Sequence, residues 1–518
     1  MSQYRGPRLV VLCVDGGLPS VVGTWNFFSP HRRLPGLHDT GATALRSVFP
    51  SSTAPAHASF LTGAHPTEHG VIGNRYWTGE PVAEICRRAA NPLLTLHPYD
   101  AASLTAPSLV EWLADQGARV AAVHFPQTFS QKASTRAVSS LYCLYAPARR
   151  VLVPLAEGTD QETVQAVYFD ESLPLTARVP SGGGAQTVMF SMGTAGPETA
   201  VPVAGRTVQV DARITEGDLS VPVRCEKVAH GTAELTLGTA VLTLSFGAVA
   251  ARNLRFPGCG GPSSRGIEYT ANPEHDFHES PCAPWIRDSA LDIVAKDEPD
   301  VLFLRFNQAD HAQEFLYWYA ARSGGREAAL AREQILSSYQ TIDACVGDIM
   351  REVGDQADYV LFSDHGIDYV ETHLRPNAVL RELGLDTGMI FQGDSNIAYL
   401  YADRPLSQAD RRHIIDALAA VDTTVRPADV VTHAVRLPSA PGRTGELAIT
   451  CGPHREFDYG FSGAAGVAVR SASHGYFPSD PAMNGFFRMF GPRTAGHEAP
   501  GAITDVADLV KNLWLQGR

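Results

Sequence analysis

Three apolar runs in this chain end in the same kind of residue. Leu9-Val10-Val11-Leu12-Cys13-Val14 leads directly into Asp15-Gly16-Gly17. Asp300-Val301-Leu302-Phe303-Leu304-Arg305-Phe306 leads into Asn307-Gln308-Ala309-Asp310, and Asp358-Tyr359-Val360-Leu361-Phe362 into Ser363-Asp364-His365-Gly366. Each run reads as a buried strand, and α/β sheets place their ligands at the carboxyl ends of such strands. A late Ser473-His474-Gly475-Tyr476 adds a second imidazole. Asp and His together are the donors of a di-metal hydrolase. Between the first two runs, Ser108–Gln116 has helical spacing with a serine start and Gly117 as a stop, and Arg119–Phe125 reads as another strand. This strand–helix–strand rhythm supports a parallel sheet.

The stretch Phe49–Tyr76, FPSSTAPAHASFLTGAHPTEHGVIGNRY, carries the hydroxyl that such a site would need. Pro55 suits the first turn of a helix, where its missing N–H would be unpaired anyway. Thr53 then stands at the helix N-terminus, where free N–H groups and the dipole favour an anion. Two readings are open here: an alkoxide nucleophile, activated by a metal, or an N-cap threonine with no chemistry. His57, His65 and His69 in the same stretch read as structural, with His65 and His69 in turn-region hydrogen bonding. His275 and His278 lie in a polar loop and read the same way.

The ordered set VDG, FPSSTAPAH…LTG…HGVIGN, ADHAQE, SDHG and SHGY resembles the alkaline phosphatase superfamily. Within it the set is similar to the nucleotide pyrophosphatase/phosphodiesterase-like branch, which includes phosphonoacetate hydrolase. The likeness covers residues 8–77, about 280–370 and 465–490. It implies an α/β fold: an alkaline-phosphatase-like core sheet flanked by helices, with a β-rich insertion and a small α/β cap subdomain. It also implies two divalent ions. Asp15, Thr53, Asp364 and His365 would hold one; Asp310, Glu314 and His474 would hold the other. Thr53 would form a phosphoryl-enzyme, and Asn74 of Gly73-Asn74-Arg75 matches the asparagine that contacts a phosphoryl oxygen. Its plain alternative is a turn residue beside glycine.

One position departs from the pattern. The family places histidine four residues after the Asp of ADHAQE, and here that residue is Glu314. On a helix, the i,i+4 spacing keeps Glu314 near Asp310. A carboxylate hardens the site, so zinc is implied by resemblance while manganese, magnesium or iron are admitted by Glu314. His311, next to Asp310, could serve instead but has no counterpart in the family. Threonine at 53 fits the phosphodiesterase and phosphonate branch rather than the serine monoesterases. Thr53-Ala54-Pro55-Ala56-His57 does not match the C/S-x-P-x-R context of sulfatases.

At 518 residues the chain exceeds one simple core. It is read as α/β core (1–145), β-rich insertion (146–275), core (276–372), small α/β cap (373–461) and core (462–518). In the insertion, Thr207–Ile214, Ala233–Leu237 and Ala240–Phe246 alternate like strands, punctuated by Gly182–Gly184 and Gly258–Pro262. A net charge of −13 argues against a nucleic-acid polymer or membrane-surface partner. The eight scattered cysteines form no CxxC pair and read as reduced core residues. The opening MSQYRGPRLVVLCVDGG has no secretory signal, and no run reaches the about 20 apolar residues of a membrane span, so a cytoplasmic location is expected.

The sequence therefore predicts a metal-dependent phosphoester hydrolase, of the phosphodiesterase or nucleotide pyrophosphatase type. Its partner would be a small phosphorylated substrate such as a nucleotide, and homo-oligomerisation is open. The alternatives are a phosphonate C–P hydrolase or phosphoryl transferase, or a degenerate member whose hydrolysis is altered or lost through Glu314.

Overall fold

The computed structural model describes residues 6–77, 79, 81–82, 97–130, 138–146, 149–156, 164–168, 171–180, 186–194, 196–215, 217–238, 240–252, 254, 283–428 and 442–517. His275, His278 and the glycine clusters 182–184 and 258–261 lie outside them. The chain forms two compact units, one of Met1–Ala90, Thr95–Ser140 and Ile286–Arg518, the other of Asn91–Leu94 and Leu141–Trp285.

The first unit is built on the apolar runs. Leu9–Val14 is the central strand, parallel to Val301–Phe306 on one side and Asp358–Phe362 on the other. Val120–Val123 extends the sheet in parallel beyond Val301–Phe306, and Gly485–Gly491 pairs antiparallel beyond Asp358–Phe362. Every residue of the three central strands is buried, because helices cover both faces. Register fixes where the strands end. Cys13 is level with both Arg305 and Phe362, so Asp15 and Asp364, each two residues further on, emerge together.

The helices are placed by the same sequence logic. Thr53–Thr62 lies on the sheet with nine of its residues buried, and Phe60 stacks on Phe362 at 4.5 Å between ring centroids. Gln308–Arg322 starts one residue after the Val301–Phe306 strand, which puts Asp310 in its first turn. Gly325–Val353 follows and packs against it, burying Ala328, Ala331, Ile335, Ile342, Val346 and Ile349 at helical spacing. Leu109–Asp115 is held by a Ser108–Glu111 capping box, and Val506–Gln516 closes the unit.

The same unit carries two smaller sheets. Asp368–Leu374 pairs with Arg455–Phe457 and Gly466–Ser473. Met389–Gly393, Ile397–Ala402, Leu447–Thr450 and Arg426–Pro427 form a four-stranded sheet, whose core includes Leu380, Ile414 and Leu418 of the helices Pro376–Glu382 and Gln408–Val421.

Among its described residues the second unit is built of β-strands, apart from one short 3₁₀ turn and the first residues of the helix Ala283–Asp297. Val138–Ala146, Ala240–Phe246, Gly217–Ala229, Thr232–Leu237 and Arg149–Pro154 lie side by side, with Val208–Ile214 paired to Gly217–Ala229. A separate sheet runs Thr199–Pro202, Thr187–Met192, Glu171–Arg178, Val164–Tyr168. The described cysteines Cys13, Cys143, Cys225, Cys345 and Cys451 are buried and free. Among the described residues, no helix is long and apolar enough to cross a membrane.

Candidate active site

Ser52, not Thr53, takes the N-cap position of the Thr53–Thr62 helix, with extended backbone at φ −136°. Thr53 is therefore the first helical residue and Pro55 the third, where a missing N–H costs nothing. The Thr53 side chain is buried, and its Oγ1 lies 3.4 Å from His365 Nε2. The next backbone N–H, that of Ala54, donates to Asn74 Oδ1 at 2.8 Å. That bond fixes the orientation of the Asn74 amide beside Thr53. One turn into the helix, His57 Nδ1 lies 2.8 Å from the Thr53 carbonyl and 3.3 Å from Asp364 Oδ2.

The strand ends supply the rest. Asp364 Oδ1 accepts from Gly16 N–H at 3.3 Å and from His365 N–H at 3.1 Å. His365 Nδ1 lies 2.9 Å from the Gly366 carbonyl, which can only accept, so the Nδ1 proton points there and Nε2 faces the cluster. That Nε2 is 3.3 Å from Asp15 Oδ1 and 3.5 Å from Asp364 Oδ2. The His474 ring stacks on His365 with centroids 4.0 Å apart. Glu314, one turn after Asp310, brings its Oε1 to 3.9 Å from His474 Nε2. The structure thus gathers Asp15, Thr53, Asp310, Glu314, Asp364, His365 and His474 into one cluster, with Asn74 on the Thr53 side. His311 also comes close, grouped with Asp310 and Glu314.

The electrostatics follow from crowding. Burial and then Asp15 and Glu314 hold the Asp310 carboxyl well above its usual range. Glu314 is pushed up to about 8 by burial, then by Glu456 and Asp15. Its side chain keeps 36% of its surface exposed, so solvent screens part of that push. Burial works against a charged His365, yet Asp364 and Asp15 outweigh it and raise its pKa to about 10. His474 moves the other way, down to about 4, through burial and the neighbouring His365. The cluster demands positive charge. A proton on His365 meets part of that demand, and a divalent cation would meet more of it.

The donor set fits such cations. Asp15 Oδ1, Asp310 Oδ1, Asp364 Oδ2 and His474 Nδ1 are buried and have no hydrogen-bond partner among the described residues. Asp15, Asp364 and His365 offer donor atoms within 4.8 Å of one another, as do Asp310, His365 and His474, and as do Asp310, His311 and Glu314. His365 is common to the first two groups. A Cys13–His57–Asp364 group meets the same criterion, but the Cys13 thiol is held well above its usual pKa by burial and by Asp364.

Two further residues of the site were not found from the sequence. Arg305, buried in its strand, donates from Nε to Asp15 Oδ2 at 2.8 Å and contacts the same oxygen through Nη2. Its signal was available: an arginine inside an otherwise apolar strand needs a buried partner. Asp394 accepts at Oδ2 from the Ser52 hydroxyl and from the Asn74 N–H at 2.9 Å. It lies in Gly393-Asp394-Ser395-Asn396, which reads as a turn and carries no chemical signature.

The family described as "Type I phosphodiesterase / nucleotide pyrophosphatase" matches residues 9–477. Among solved structures, murine ectonucleotide pyrophosphatase/phosphodiesterase 5 superposes with a TM-score of 0.52 at 12% identity, covering 98% of this chain and 94% of that one. An inactive variant of the murine protein, in complex with AMP, gives 0.53 at 11% identity with the same coverage. The human counterpart gives 0.52 at 11%, again over 98% and 94%. These likenesses concern the fold. No curated protein matches by sequence.

Proposed function

The chain belongs to the type I phosphodiesterase/nucleotide pyrophosphatase family, and from that premise we propose that it hydrolyses phosphodiesters through Thr53. The observation that carries this reading is the buried Thr53 Oγ1, 3.4 Å from His365 Nε2 at the head of a helix, among carboxylates and imidazoles.

Family membership supports phosphoester hydrolysis in general. Asp15, Asp364 and His365, with Thr53, would hold one divalent ion, and Asp310, Glu314 and His474 the other. When bound, such ions lower the pKa of a hydroxyl or water and neutralise charge on a transferring phosphoryl group. Thr53 Oγ1 attacks phosphorus in line. The Oγ1–P bond forms as the P–O bond to the leaving group breaks; the hydroxyl proton passes to solvent, and the departing alkoxide takes a proton from solvent to leave as the alcohol. Asn74 Nδ2 would donate to a phosphoryl oxygen, since its Oδ1 is engaged by Ala54 N–H. Water then attacks phosphorus, the Oγ1–P bond breaks, Thr53 regains a proton, and a phosphomonoester leaves. Zinc is the expected ion, with manganese, magnesium or iron accommodated by Glu314. The AMP complex of the murine structure favours a nucleotide-type diester as substrate.

The test is turnover of an activated diester and of the matching monoester, by wild type and Thr53→Ala, with metal saturated. The diester should be cleaved faster, and Thr53→Ala should lose turnover while keeping its fold. An Ala variant with wild-type rates removes the covalent route; equal or reversed preference removes the diesterase assignment.

A further inference from the structure

The proposed ligands include the carboxylates Asp15, Asp310, Glu314 and Asp364, which, ionised around bound metal, would together carry four negative charges. Two divalent ions carry four positive ones, so this shell alone leaves nothing to attract an anionic diester. The structure supplies another charge. Arg305 has a side chain only 5% exposed and is paired with the fully buried Asp15. Guanidinium stays charged in proteins. A further contact, His124 Nε2 at 3.3 Å from Nη1, adds no anion, because burial and then Arg305 keep that imidazole neutral. Burying an ion pair in a strand carries a desolvation cost that packing does not repay, so packing alone gives little reason for it.

We propose that Arg305 is a positioning residue that makes the field at the phosphate site more positive, offsetting the fourth carboxylate. Arg305 also engages Asp15 Oδ2, so that Oδ1, 3.3 Å from His365 Nε2, is the oxygen that faces the cluster. The inference rests on the reading of this cluster as a metal-bound phosphate site. It does not require that the substrate be a diester.

Binding of inorganic phosphate to the metal-reconstituted full chain, measured by calorimetry with metal content by mass spectrometry, tests the proposal without turnover. Arg305→Met should weaken phosphate binding on the order of tenfold, without losing metal. Arg305→Lys keeps the charge but not the fork, and should stay within about threefold of wild type. The decisive form is Arg305→Met with Glu314→Gln, which removes one charge of each sign and should recover to within about threefold. Recovery is what an arginine needed only for packing would not give. The proposal is overturned if the double variant binds as weakly as Arg305→Met, if Arg305→Met binds like wild type or loses its metal, or if Arg305→Lys is as weak as Arg305→Met. Should Arg305→Met fail to fold, Glu314→Gln alone should tighten phosphate binding on the order of tenfold, and unchanged binding there would overturn it. Failure of the diester assay would leave these binding results standing, so the two readings fail separately.

Discussion

Gly16 leaves open the space that Asp310 fills. A Cβ on Gly16 would stand 2.6 Å from Asp310 Oδ1, and Gly16 has a φ of +63°. The left-handed backbone costs roughly 1–2 kcal/mol for any other residue, and the contact forces Asp310 aside. Gly16→Ala should therefore bind less metal and lose at least about tenfold in turnover, while the chain stays folded. Metal content and circular dichroism on the same sample check this; a variant with full metal content and rate would show that Asp310 need not sit where it does.

Asp394 ties Ser52, the cap before Thr53, to the backbone of Asn74. Asp394→Ala should loosen both at once. The expected loss in kcat is about tenfold to a hundredfold, with metal content unchanged because Asp394 is outside the proposed ligand set. Steady-state kinetics with an activated diester decide it, and an unaltered kcat would reduce Asp394 to a loop anchor.

Glu314→His exchanges a carboxylate for a neutral nitrogen donor, in contact range of His474. Zinc affinity should rise, since imidazole suits zinc better than a further carboxylate does. Hydrolysis of a simple activated diester should increase as the field at the phosphoryl group becomes more positive. Zinc stoichiometry and turnover are measured together. No gain in either would remove Glu314 from the ligand set.

His69 offers a pH test away from the cluster. Val71 N–H donates to its Nδ1 at 3.1 Å, so the ring proton is on Nε2, 2.9 Å from Ser59 Oγ. Burial, with His65 beside it, lowers its pKa to about 3. Below its ordinary value near 6.5 the unfolded chain binds a proton that the folded chain refuses. Stability is therefore lost as pH falls from about 6.5 toward 3, by about 2 kcal/mol at pH 5 from this group. His69→Gln should be less stable at pH 7 but lose less between pH 7 and pH 5. Denaturant midpoints at the two pH values test this, and parallel losses in both proteins would rule it out.

What could be read from the sequence, and what could not, divides by the range of the interactions. Leu9–Val14 and Asp358–Phe362 are strands at the positions expected, because an unbroken apolar run ending at an acidic residue is a local signal. The fold and the family were legible for that reason. The Thr53 helix was legible too, although Ser52 turned out to be its cap, since Ser-Ser-Thr gives three hydroxyl residues with equal claims. Arg305 and Asp394 act on partners 290 and 342 residues away in the chain, so no spacing rule reaches them. The charge balance of the proposed metal shell changes as a result: counting Glu314 without Arg305 makes that shell neutral, and the buried guanidinium alters the count.

The His474 loop is tied back to the segment before Thr53 by a bond from Gly475 N–H to the Ser51 carbonyl at 2.8 Å. The strand Gly485–Gly491 then inserts beside Asp358–Phe362. On the ribosome, these pieces arrive more than 400 residues after Asp15 and Thr53. A nascent or truncated chain presents Asp15 and Thr53 early but has no complete ligand set. On the proposed reading, reactivity is thereby postponed until the His474 segment has been made, and loss of that segment silences the whole site rather than leaving a weakened one.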